Sequence, residues 1–270
     1  MRVIRAISAG LLAILALVAL LFWATAPSPK PGQLLLLPKT DFTKQRFFAY
    51  VGPWGGELAT STRLWSRFAD AMIIDLKRFP ANTKISWRWP PFAPRNGAGV
   101  WGYNWVAYDN YAGGVTEQRV EPTRVRDLKV FRQRFRWSIA NRWGDANVLT
   151  EFYLRSNATD VEANRIEIGW FLHAPAEMRQ FFDSSRLVGA YVDPTGRRWT
   201  VRMFDKYCMF ALEKPGDLPE GELDMLHAIR WLQQRGLVTG DEWLWGVGIG
   251  AEPITGLGDM TLHEWRVVRQ

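Results

Sequence analysis

Apolar side chains recur at every second position through most of this chain, a period that commits it to β-sheet. Across residues 130–139, Phe131, Phe135 and Trp137 alternate with Arg132, Arg134 and Arg136, so one strand face is packed and the other is wet. Residues 147–154 and 165–172 repeat the pattern. Val148, Phe152 and Leu154 share a face in the first, and Ile166, Ile168, Trp170 and Leu172 share one in the second. Residues 243–249 run on into Gly250-Ala251-Glu252-Pro253-Ile254-Thr255-Gly256. There Trp245, Val247, Ile249 and Ala251 form a packed side, while Gly246, Gly248, Gly250 and Glu252 form a bare one. Further strands are expected at 47–51, 71–76, 84–89, 187–192, 199–204 and 207–212, with Asp193-Pro194-Thr195-Gly196 as a hairpin turn. Only residues 220–235 carry a helical spacing, through Met225, Leu226, Ile229 and Leu232, with Arg235-Gly236 as a stop. The expected fold is all-β: a jelly-roll sandwich of two curved antiparallel sheets with one α-helix. A body of this length can bury one large core undivided.

Ahead of the strands, Arg2 and Arg5 precede an apolar run over residues 6–23, and Ala24-Thr25-Ala26 offers a small-x-small cut site. Residues 1–26 are therefore read as a signal peptide or an uncleaved membrane anchor. Residues 27–44, with prolines at 27, 29 and 31, are read as a linker, and 45–270 as the working domain. Both readings of the leader place the body outside the cytoplasm, periplasmic or extracellular, and the uncleaved form tethers it to the membrane. The single cysteine, Cys208, forms no internal disulfide and is expected to be a buried small hydrophobe.

Three strands each turn one glutamate away from their apolar side: Glu151, Glu167 and Glu252. An ordinary wet face would mix such acids with Lys, Thr and Ser. Here the neighbours in parity are Gly169, Phe171, Gly248 and Gly250. Glycine leaves a strand face bare where a ligand or another backbone comes close. Fifteen tryptophans exceed what a core needs, and flat aromatic rings stack on the C–H faces of sugars. Acids on a bare, aromatic face therefore suggest a carbohydrate cleft. The formal charge of +7 raises a nucleic-acid partner. That class is set aside, because Arg132, Arg134 and Arg136 line the outer face of an amphipathic strand and no nucleic-acid motif accompanies them. His173, His227 and His263 lack metal-ligand spacing, and Gly246-Val247-Gly248-Ile249-Gly250 leads into Glu-Pro where a dinucleotide loop would open a helix. Neither metal nor cofactor is expected. Asp109 and Glu117, in or beside the Tyr-, Asn- and Gly-rich run 101–114, are candidates to contact sugar but are read first as loop stabilisers, and Glu264 as a surface strand residue. Asn157-Ala158-Thr159 is a glycosylation triplet.

A strand with Glu167, then a hairpin, a helix and Gly-x-Glu-Pro-x-Thr-Gly resembles glycoside hydrolase family 12, the endo-β-1,4-glucanases and xyloglucanases built on a β-jelly roll. The resemblance spans residues 45–268. Glu167-Ile168-Gly169-Trp170-Phe171-Leu172 matches the family's nucleophile strand, Gly250 to Gly256 its acid/base motif, and Thr150-Glu151-Phe152-Tyr153 the strand that supplies an assisting carboxylate. It implies Glu167 as nucleophile, Glu252 as acid/base and Glu151 as the assisting group. Trp54-Gly55 and Trp87-Arg88-Trp89 resemble the family's early tryptophan motifs. The substrate-contacting set is then expected to be Trp54, Trp87, Trp89, Gly169, Phe171, Gly248 and Gly250. Three positions depart from the pattern: Gly169 stands for methionine, Glu151 for aspartate, and Ile254 for an aromatic residue. The implied activity is retaining, endo-acting hydrolysis of a β-1,4-glucan by two-glutamate double displacement, with the chain working as a monomer. A non-catalytic carbohydrate-binding jelly roll is the alternative.

Overall fold

The computed structural model of the protein describes residues 2–54, 70–95, 99–109, 111 and 121–270. In chain order, helix α1 (Arg2–Ala24) precedes β1 (Gln33–Leu36), β2 (Asp41–Lys44), β3 (Phe47–Pro53), β4 (Ala71–Asp75), β5 (Thr83–Arg88) and β6 (Gly102–Asp109). Then come β7 (Thr123–Arg124), β8 (Phe131–Trp143), β9 (Ala146–Arg155), β10 (Asn164–His173) and helix α2 (Ala176–Ser184). The hairpin strands β11 (Arg186–Val192), β12 (Arg198–Phe204) and β13 (Tyr207–Leu212) follow, with β14 (Glu220–Asp224) and helix α3 (Met225–Gln233). The chain ends in β15 (Trp243–Leu244), β16 (Gly246–Pro253) and β17 (Leu257–Arg269).

These strands form two sheets. The smaller has six strands in the order β1-β4-β5-β17-β8-β14; the larger has eleven, with the path β11-β12-β13-β10-β9-β16-β6-β3-β2 and β15 and β7 alongside. The apolar faces read from the alternation meet between the sheets. Phe131, Phe135 and Trp265 of the small sheet join Phe152, Trp170, Phe210, Val247 and Ile249 of the large one in a single core, each at most 3 % exposed. Trp170 lies on Phe210 with ring centroids 4.7 Å apart, and Phe131 meets Phe152 edge-on at 5.1 Å. Helix α3 adds Met225, Leu226, Ala228, Ile229 and Leu232 to this core. Its first turn is capped by Asp224, whose Oδ1 accepts from the His227 amide at 2.9 Å. The arginines of β8 point outward, where Arg132 pairs with Glu222 at 3.6 Å. Cys208 is buried, as expected.

The structure departs from the expected outline in several places. Residues from Gln33 onward supply β1 and β2, which pair with β4 and β3, so the stretch read as a linker joins the sheets. A second body helix, α2, follows β10; its apolar spacing is carried only by Met178, Phe181 and Phe182, too few to register as a pattern. Strand β14 takes the first five residues of the segment read as helix. Strand β6 runs through the stretch read as loop, because Tyr103, Trp105 and Ala107 alternate with Asn104, Val106 and Tyr108. The larger sheet is mixed, since β10 and β13 run parallel. The intervening α2, β11 and β12 carry the chain back to begin β13 in the same sense. Among the described residues, no helix is long and apolar enough to cross a membrane.

Candidate active site

The site lies on the face of the large sheet turned away from the core. Period-two alternation places Leu149, Glu151, Tyr153 and Arg155 of β9 on this face, with Glu167, Gly169 and Phe171 of β10 beside them. Cross-strand register then fixes the neighbours. Glu167 pairs with Tyr153 and Gly169 with Glu151 on one side of β9; Gly248 pairs with Glu151 and Glu252 with Asn147 on the other. Three adjacent strands, β10, β9 and β16, thus present Glu167, Glu151 and Glu252 in turn.

Glu151 is 4 % exposed and accepts a short hydrogen bond from the Tyr111 hydroxyl, with a second from the Tyr207 hydroxyl at 3.3 Å. It also shares a hydrogen bond with Glu167, which is in turn hydrogen-bonded by Tyr153. Glu252 is half-buried and accepts from the Asn147 amide at 2.9 Å. Burial raises all three carboxyls above the usual range. For Glu167 the charge on Glu151, their shared hydrogen bond and the charge on Glu252 push it further, well above the ordinary value. For Glu252 burial and the charge on Glu151 outweigh the Asn147 amide, and the group is pushed up to about 8. For Glu151 burial is opposed by the Tyr111, Glu167 and Tyr207 hydrogen bonds, which all favour its charged form. Like charges this close do not all ionise together, so the Glu151–Glu167 pair holds a proton near neutrality and Glu252 holds another.

An aromatic band leads to these acids across β3, β6 and β9. Tyr50 meets Trp105 at 4.9 Å, Trp105 stacks on Tyr103 at 5.4 Å and meets Tyr111 edge-on at 5.8 Å, and Tyr111 stacks on Tyr153 at 5.4 Å. Tyr50, Trp105, Tyr153 and Tyr207 keep part of their surface exposed. None of these aromatic residues stood out in the sequence; parity from Glu151 would have found Tyr153, while Tyr207 follows only from register and Tyr111, beyond the end of β6, only from the tertiary fold. Asn147 lies four residues before Glu151 on the same strand face, a signal present in the sequence.

The expected contact residues divide. Trp54, at the end of β3, is 52 % exposed and its amide donates to the Trp101 carbonyl, so it stands open at the rim. Trp87 is a correction: it lies in the small sheet, fully buried in the inter-sheet core, and cannot reach a ligand on the far face. Trp89 is likewise covered, stacked on Trp101 at 4.7 Å with its indole nitrogen donating to Asp70 at 2.7 Å. Phe171 is 3 % exposed and packs in a cluster with Phe182 of α2. The bare glycine track is filled by protein rather than open: Tyr207 occupies the space over Gly169, Tyr111 that over Gly248, and a side chain at Gly250 would run into the Asn104 carbonyl. Gly55 and Glu117 lie outside the described residues. Asp109 pairs with Arg269 at 3.2 Å in the interior, the stabilising role read for it. The three histidines bond Asp217, Tyr191 and Ser138 respectively, and the described residues contain no cluster of His, Cys, Asp and Glu able to hold a metal.

No sequence family model matches the chain, and no curated protein sequence does either. Solved structures do. Endoglucanase 3 of Trichoderma harzianum, from family GH12, superposes with a TM-score of 0.67 over 89 % of this chain and 99 % of its own, at 13 % identity. The fold is that of the family 12 glycoside hydrolases. A family 12 xyloglucanase from Bacillus licheniformis gives a TM-score of 0.66 at 15 % identity, covering 88 % of this chain and 100 % of its own. The catalytic domain of Humicola grisea Cel12A, in complex with a soaked thio-cellotetraose, gives 0.63 at 15 % identity, covering 88 % and 99 %. The family 12 jelly roll therefore extends across nearly the whole chain, at identities that carry the fold alone.

Proposed function

We propose that this protein is a retaining, endo-acting glycoside hydrolase that cleaves a β-1,4-glucan-type polysaccharide, cellulose-like, mixed-linkage or xyloglucan. The observation that carries the reading is the set of three carboxyls presented in turn by adjacent strands and unequally hydrogen-bonded, at the end of a partly exposed aromatic band. Glu252, raised to about 8, is protonated at neutral pH and serves as the acid that protonates the leaving oxygen. Glu167 attacks the anomeric carbon as its proton passes across the shared hydrogen bond to Glu151, giving a glycosyl-enzyme. Glu252, now ionised, deprotonates the water that releases the product with retained configuration. Tyr50, Trp105 and Tyr153 offer stacking surfaces for the sugar rings, with Trp54 at the rim. Ligands named with solved structures of this fold, such as the thio-cellotetraose of Humicola grisea Cel12A, support a β-glucan as substrate. Such a polymer lies outside the cytoplasm, in keeping with an export role for residues 1–26.

A reducing-end assay on a panel of soluble β-glucans tests the reading, with Glu167→Gln and Glu252→Gln as controls. Loss of on the order of 10³-fold or more in kcat is expected for each, the scale of removing a group that acts in the transition state. Activity retained in either variant removes that residue from its role. Binding without hydrolysis by the wild type would instead identify a carbohydrate-binding module.

A further inference from the structure

Glu151 is the most enclosed of the three acids, and tyrosines hold both of its oxygens: Tyr111 donates to Oε1 and Tyr207 to Oε2. Each tyrosine stands where a glycine has made room. Glu151 lies in register with Gly169 on β10 and with Gly248 on β16, so a glycine flanks it on either side. A methyl at Gly169 would lie 2.6 Å from the Tyr207 hydroxyl and 2.9 Å from its ring. A methyl at Gly248 would lie 3.0 and 3.1 Å from two ring carbons of Tyr111. Neither glycine has a positive φ, so the backbone does not call for glycine at these places; space does. Arg155, 1 % exposed, donates from Nη2 to the Tyr111 carbonyl at 3.1 Å and lies over the Tyr153 and Trp245 rings, which fixes the base of that tyrosine.

We propose that Tyr111 and Tyr207 are positioning residues that keep the negative charge of the Glu151–Glu167 pair on Glu151, and that residues 169 and 248 are glycines in order to seat them. Two hydroxyl donors favour the charged form of Glu151 against one, Tyr153, on Glu167. The proton of the pair therefore rests on Glu167 in the free protein. It crosses to Glu151 as the Glu167 carboxylate bonds to the anomeric carbon, while the leaving oxygen departs with the proton of Glu252. The arrangement also ties two departures from the family pattern together: the glycine at 169 frees the space that Tyr207 fills, and the longer Glu151 reaches both hydroxyls. Only the kinetic half of this proposal rests on the hydrolase reading.

The test is a ¹³C-carboxyl NMR titration of the full chain without substrate, comparing wild type with Tyr111→Phe, Tyr207→Phe and Gly169→Ala, each checked for an unchanged fold by circular dichroism. Removing a donor to the anion raises the lower apparent pKa of the Glu151–Glu167 pair, by about half a unit to one unit for each phenylalanine variant. Gly169→Ala is expected to shift it in the same direction by displacing Tyr207, and to add little in the Tyr207→Phe background. A folded Tyr111→Phe and a folded Tyr207→Phe that both titrate like wild type would overturn the proposal. Should Gly169→Ala fail to fold, the phenylalanine variants decide it alone. On soluble β-glucans the acid limb of kcat/KM should move up with the titration. A wild type that hydrolyses none of them sinks the hydrolase reading, while the titration still decides the tyrosine roles.

Discussion

At the residue scale, what matters is which hydrogen bond each acid receives. The Asn147 amide is the group that opposes the rise of Glu252. Removing it in Asn147→Ala leaves burial and the Glu151 charge unopposed, so the Glu252 pKa should climb by about half a unit. The basic limb of kcat/KM should follow it to higher pH, as read from a pH–rate profile; a basic limb that stays put would separate Asn147 from the acid. Trp87 gives the opposite expectation. Trp87→Ala empties a fully buried core position and should cost roughly 3–5 kcal/mol in a urea titration, while Glu252 keeps its ionisation. The three glutamates were legible in the sequence, since period-two alternation alone sets Glu151, Glu167 and Glu252 apart from their apolar neighbours. Tyr111 and Tyr207 were not: Tyr207 reaches Glu151 through cross-strand register, and Tyr111 from beyond the end of β6 by the tertiary fold, and one strand read by itself contains neither.

At the element scale, the turn that follows the acid-bearing strand β16 is fastened to the neighbouring β8–β9 hairpin. Thr255 Oγ1 accepts from the Asp145 amide at 2.9 Å, and the Asp145 carbonyl accepts from the Ile254 and Thr255 amides at 2.9 and 3.0 Å. Gly256 has φ 62° and its Cα side faces the Trp143 carbonyl so closely that any side chain would collide with it. Gly256→Ala should therefore destabilise by a few kcal/mol, with both strain and collision contributing, and should lower kcat by shifting Glu252. Thermal unfolding and a rate assay on the folded fraction separate the two effects. The capping residue Asp224 is a milder case: Asp224→Ala should cost about 1 kcal/mol through loss of the α3 N-cap, with kcat unchanged. The long strands were readable because alternation persists over many residues. Strand β6 was hidden because Tyr103, Trp105 and Tyr108 occupy both of its faces, so no polar side marks the period. Helix α2 was hidden because it packs on the far face of the large sheet through a short stripe only, Phe182 being its one buried residue.

At the scale of the whole molecule, raised carboxyl pKa values make stability fall with pH. Asp70 is buried beside Trp89 and pushed up to about 7, and Glu252 is pushed up to about 8. In the unfolded chain both groups ionise near 4. Between those limits the folded state binds more protons than the unfolded one, so stability is greatest below pH 4 as far as these two groups go, and declines as pH rises toward 7 and 8. The contribution of Asp70 amounts to about 4 kcal/mol across that window. In Asp70→Asn the slope of unfolding free energy against pH between 5 and 7 should flatten; an unchanged slope would remove Asp70 as its source. The jelly-roll class followed from the alternation, and the mixed sheet with its parallel β10–β13 pair did not, because direction depends on how the chain returns through α2, β11 and β12. The central claim, that Glu167 forms the glycosyl-enzyme, is tested most directly by trapping it. The protein is incubated with an activated 2-deoxy-2-fluoro-β-cellobioside and its peptides are mapped by mass spectrometry. A single adduct on Glu167 is the predicted result, and glucan hydrolysis with no adduct, or with the label on another carboxyl, would contradict it.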